Sequence, residues 1–161
     1  SVFKDLEILS MFRDNLCYVP GNMGPIQTMS GAQDLVRINI AVGLRYYQDS
    51  NPEELNKHFY AIRKMIEDDP NASVAAEAIL TLAMWVRNWD ENTKNQLIIS
   101  IKKRLIKSSA LNYRLAIRII TAMKLIANDS AIVLLSEMLR KGYNNKIKTK
   151  IQQALDSMPG N

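Results

Sequence analysis

Four times along this chain a two-residue step opens an apolar run of helical spacing: Val36-Arg37, Val74-Ala75, Tyr113-Arg114 and Ile147-Lys148. The steps lie 38, 39 and 34 residues apart. A unit of that length is a helical hairpin, which cannot bury its apolar face alone and does so by stacking on its neighbours. The period therefore predicts an all-α solenoid of stacked hairpins. Stacks of this kind offer a long face, so the expected role is binding rather than catalysis.

Apolar periodicity and start signals predict eight antiparallel helices joined by short connections. The first covers residues 2–18, with Phe3, Leu6, Ile8, Leu9, Phe12 and Leu16 on a broad apolar face and Ser1 as cap. A breaker-rich loop over 19–31 follows, and its Met23, Ile26 and Met29 are expected to fold back onto the helices. The second helix covers 31–48. Asn51-Pro52-Glu53-Glu54 starts the third with a capping Asn, a Pro at the first position and acids in the first turn. Asp68-Asp69-Pro70-Asn71 separates it from the fourth, over 72–88. Asp90-Glu91-Asn92 starts the fifth, Ser108-Ser109 the sixth, Asn128-Asp129-Ser130 the seventh and Asn144-Asn145 the eighth. The seventh is expected to end at Lys141-Gly142, a basic turn followed by a terminating glycine. These pair into repeats over 1–49, 50–89, 90–127 and 128–159 of one domain, 1–161.

The net charge of +5 hides a split. Residues 1–91 hold 8 Lys/Arg against 13 Asp/Glu, and residues 92–161 hold 13 against 3. Such asymmetry predicts an acidic or polyanionic partner. Enzyme templates fail. Cys17 is the only cysteine, read as a buried thiol, and the only histidine, His58, lies on another predicted helix. No His/Cys cluster has metal spacing, and no glycine loop has the layout of a phosphate cradle. No cofactor, metal or catalytic residue is expected. Glu53-Glu54 and Glu67-Asp68-Asp69 are acid groups at helix ends, assigned to the helix dipole and to solvent. Tyr46-Tyr47 are assigned to packing. No apolar run reaches the ~20 residues of a transmembrane helix, and the start is unlike a signal peptide. An intracellular location is expected. The chain begins without Met, as a piece of a longer protein would.

The even-numbered predicted helices resemble the second helices of HEAT or armadillo-type repeats. The match rests on Leu35-Val36-Arg37-Ile38-Asn39-Ile40-Ala41-Val42-Gly43-Leu44, on Asp69-Pro70-Asn71-Ala72-Ser73-Val74-Ala75-Ala76-Glu77-Ala78-Ile79-Leu80, on Asn112-Tyr113-Arg114-Leu115-Ala116-Ile117, and on the run from Asn145 to Leu155. Small residues (Ala41, Gly43, Ala76, Ala78, Ala116, Ala122, Ala154) allow close helix approach. A turn carboxylate such as Asp69 can pair with a basic residue of the adjacent repeat. The resemblance implies a right-handed α-α superhelix of about eight helices in HEAT-like hairpins, with the even-numbered helices lining a concave face.

On that face Arg114 and Arg118 stand one turn apart on the sixth predicted helix, and Lys146, Lys148 and Lys150 lie on the eighth. Lys102, Lys103, Arg104 and Lys107 on the fifth, and Arg140 and Lys141 at the end of the seventh, complete the basic set. Together they are the expected partner- or polyanion-binding residues. The preferred partner is a protein with an acidic segment. The alternative is nucleic acid held through its phosphates, with marked salt dependence, although only Tyr113 and Tyr143 interleave this half. A homo-oligomeric, self-assembling role is the third reading. Trp85, Trp89 and Asp90 supply residue types found in HEAT-like alkylpurine DNA glycosylases, but an i, i+4 aromatic pair at a helix end more simply covers the core. Reversing the charge of Arg114 and Arg118 is expected to leave folding intact.

Overall fold

A computed structural model describes residues 30–108 and 110–159. The predicted first helix, the loop after it, Cys17 and Ser109 lie outside the described residues. The described part is helical, with no strand. Helix α1 (Ser30–Gly43) runs into a 3-10 turn, Leu44–Tyr47. Then follow α2 (Pro52–Asp68), α3 (Ala72–Val86), α4 (Glu91–Lys107), α5 (Tyr113–Ile126), α6 (Asp129–Arg140) and α7 (Asn145–Ser157).

Short polar residues start six of these helices. The side chains of Asn51, Asn71, Asp90, Asn112, Asn128 and Asn144 each accept a hydrogen bond from a first-turn backbone N–H. Each such cap satisfies a donor that the helix itself leaves open and contributes about 1 kcal/mol. The caps correct one expected start. Helix α5 begins at Tyr113, where Asn112 accepts from the N–H groups of Arg114 and Leu115. Ser108 instead donates its hydroxyl back to the Arg104 carbonyl and closes α4. A second correction concerns Gly142. Helix α6 ends at Arg140 with Lys141 already extended (φ −75°, ψ 158°), so no left-handed glycine is needed there. The left-handed cap is Ala127 (φ 50°), whose N–H donates to the Met123 carbonyl at the end of α5.

The helices form two rows. Contacts run α1 to α3 to α5 to α7 in one, and α2 to α4 to α6 in the other. Cross-row contacts join α3 to α2 and α4, and α6 to α5 and α7. The core between the rows includes Leu55, Ile62, Ile66, Ile79, Leu82, Trp85, Leu97, Ile101, Leu115, Ile119 and Met123, all essentially inaccessible. Helix α3 is the most enclosed: 12 of its 15 residues are buried. Flanked by α1 and α5 in its row, it carries Ala75, Ala76, Ala78 and Ala83, all fully buried.

Candidate functional site: three arginines on a buried glutamate

Glu77 is the one charged residue of α3 and is fully buried. An unpaired carboxylate there would cost several kcal/mol. It is paired three times. Arg45, from the 3-10 turn, donates through Nη2 to Oε2 and to the Glu77 carbonyl (3.1 Å to the latter). Arg114 donates to Oε1 through Nε at 2.9 Å, with Nη2 at 2.8 Å. Arg118, one turn on, donates to the same oxygen through Nε at 3.0 Å. Thr81, one turn after Glu77, accepts from Arg45 Nε at 3.1 Å and donates to the carbonyls of Ala41 and Glu77. Burial pushes the Glu77 carboxyl upward, but the three guanidiniums outweigh it and hold the group below the ordinary carboxylate range.

The row of adjoining helices builds this cluster. Arg114 lies 37 residues after Glu77, and Arg45 lies 36 before Thr81. These residues, distant in sequence, are brought together because α1 with its 3-10 turn, α3 and α5 adjoin in one row. The carboxylate is sealed, whereas the side chains of Arg45, Arg114 and Arg118 remain 17, 46 and 33% exposed. Among the described residues no second carboxylate pairs with any of the three.

A second polar seam ties α1 and α4 to the end of α2 and the α2–α3 turn. Arg37 is bidentate on Asp69, at 2.7 and 3.2 Å, and also pairs with Asp34. This is the expected pairing of a turn carboxylate with a basic residue of the adjacent repeat. Glu67 accepts from the Ser100 hydroxyl at 2.6 Å and pairs with Lys103 and Arg63. Burial raises its carboxyl, but the Ser100 hydrogen bond and the Lys103 charge bring it below the ordinary range. Asp68 is lowered by its bond to Lys107. The assignment of Glu67 and Asp69 to dipole and solvent is thereby corrected. Both are buried, and a helix C-terminus disfavours carboxylates, so nearby cations of α1, α2 and α4 hold them.

The expected basic residues thus divide. Lys103 and Lys107 meet α2, while Arg114 and Arg118 meet α3. Arg104 is buried, donates to the Asp69 carbonyl, and has its guanidinium pushed below the usual range by desolvation. It does not join an exposed surface. Lys102 pairs at the surface with Glu137, 3.4 Å away. Lys146 sits 4.6 Å from the Tyr113 ring centroid. Arg140, Lys141 and Lys150 are exposed, Lys148 is half-buried, and none has an ion pair among the described residues.

Sequence reasoning passed over Arg45 and Glu77. The available signal was Glu77 itself, the one charged residue within the apolar run of α3. The Trp-Trp-Asp constellation is structural: Trp85 is buried and donates to the Leu44 carbonyl at 3.0 Å, Trp89 lies beside Phe59, and Asp90 caps α4. Tyr47 contacts the core as expected, but Tyr46 is 89% exposed. No group of three potential metal ligands occurs among the described residues, and no described helix is long and apolar enough to cross a membrane.

No family model, curated protein or solved structure matches this chain. Its function therefore has to be argued from the arrangement of its own side chains.

Proposed function

We propose that this chain is a HEAT-like right-handed superhelix of eight helices in four hairpins, and a non-catalytic intracellular scaffold that binds an acidic segment of a partner protein. The segment would lie along the α1–α3–α5–α7 row. The observation that carries this reading is the arginine cluster: Arg45 from the turn after α1 and Arg114 and Arg118 from α5 share one carboxylate of α3 and keep part of each side chain in solvent. The two-row contact pattern supports it, because one row then offers a continuous face made of the same position in each repeat. In α7, Lys148 occupies the position that Arg114 holds in α5, which extends the basic line by one repeat.

Nucleic acid is the second reading. Tyr46, next in sequence to Arg45 and highly exposed, offers a stacking surface beside a cation. Fluorescence anisotropy with a labelled oligoglutamate peptide and a labelled single-stranded oligonucleotide separates the two. The peptide is expected to bind at low salt, to weaken as salt rises, and to bind less well to Lys148→Glu. Binding of neither probe at low salt defeats both readings, and a clear preference for the oligonucleotide selects the second.

A further inference from the structure

One buried carboxylate requires one cation. Glu77 has three, and the local balance of three guanidiniums against one carboxylate leaves two positive charges in surplus. Packing like charges this closely opposes folding unless something else answers them. The arginines are also held still. Glu77 and Thr81 fix Arg45 from below, and Glu77 Oε1 takes both Arg114 and Arg118. Each guanidinium has five N–H donors in a rigid fork, and the contacts to Glu77 and Thr81 leave an Nη1 amino group on all three without a bond among the described residues.

We infer that the outer side of this cluster is a binding site for a phosphate monoester, the phosphorylated side chain of a serine or threonine in the partner segment. The inference rests on the acidic-segment reading and deepens it. A phosphoryl group carries close to two negative charges near neutral pH and presents three acceptor oxygens. It matches the surplus in charge, and its three oxygens equal the open Nη1 groups in number. A single carboxylate answers only half of the charge. A nucleic-acid strand spreads one charge per phosphodiester along its length, which an extended line of cations suits better than three gathered on one carboxylate. Because Glu77 preorganises the arginines, little further side-chain order is lost on binding.

The test uses the whole chain and three peptides of one acidic sequence, carrying phosphoserine, serine or glutamate at the central position, followed by anisotropy. Side-chain Nε–Hε resonances of Arg45, Arg114 and Arg118 are followed by NMR during titration with inorganic phosphate and with the phosphopeptide. The phosphopeptide is expected to bind at least about tenfold more tightly than either other form, the worth of one added charge-assisted hydrogen bond. Both phosphate and phosphopeptide are expected to shift the three arginine resonances. Arg118→Lys keeps the charge beside Glu77, and hence the fold, but lacks the fork. It is expected to retain the thermal transition and lose most of the phosphoserine preference. Equal affinity for the three peptides overturns the phosphate site while leaving the acidic-segment reading standing. Absence of binding by all three overturns both. Arginine shifts produced by an oligonucleotide but not by the phosphopeptide overturn the peptide source, and an undiminished preference in Arg118→Lys overturns the role of the fork.

Discussion

At the scale of single residues, Glu77 is the most consequential side chain described. Its carboxylate is sealed among three cations, one from the turn after α1 and two from α5, so losing the negative charge leaves those cations facing one another. Glu77→Gln is expected to lower the unfolding free energy by roughly 3 kcal/mol, measured by urea denaturation at neutral pH. Arg114→Glu with Arg118→Glu would set two new carboxylates against a buried third. The expectation from sequence that this reversal leaves folding intact is therefore replaced: the double variant is expected to lose its cooperative thermal transition. The folded state lowers the carboxyls of Glu77 and Glu67 below the ordinary value of 4.5. Just below that value the unfolded chain binds more protons than the folded one, so stability falls as pH falls. Full stability is expected above about pH 5, with a progressive loss below it. The loss should be shallower in Glu77→Gln, read from thermal melts across the acid range.

At the scale of elements, most helix starts were readable because capping is local chemistry. Asn51, Asn71, Asp90, Asn128 and Asn144 precede apolar periodic runs, and each caps the helix expected of it. The start of α5 was misplaced because Ser108, Ser109 and Asn112 are all competent caps. Which one acts depends on where α4 stops, and the Ser108 hydroxyl is used in stopping it. Asn112→Ala is expected to cost about 1 kcal/mol in chemical denaturation. Ala127 adopts a conformation that glycine occupies without strain. Ala127→Gly is expected to raise stability by about 0.5 kcal/mol, the relief of strain outweighing the loss of a partly buried methyl. A fall in melting temperature would show that the methyl contact matters more.

At the scale of the whole molecule, the charge split turns out to be in part an internal fit. The acids Glu67 and Asp68 of α2 and Glu77 of α3 meet Lys103 and Lys107 of α4 and Arg114 and Arg118 of α5. A basic half read alone overstates the cations open to a partner, since several are committed to the acidic half beside them. Cations without an ion pair among the described residues concentrate instead on α7 and at the end of α6. The rows also make each helix depend on the next: α3 is covered on one side by α5. A chain cut after residue 90 is expected to lose the far-ultraviolet helical signal of its remaining helices, because α3 would expose the apolar side that α5 covers. Apolar spacing and capping residues, which act within a few positions of chain, determined an all-helical molecule and most of its helix boundaries. Only the tertiary structure decided which arginine meets which acid. Partners 32 to 41 residues apart are chosen by helix rotation and row contacts, and no local pattern records these.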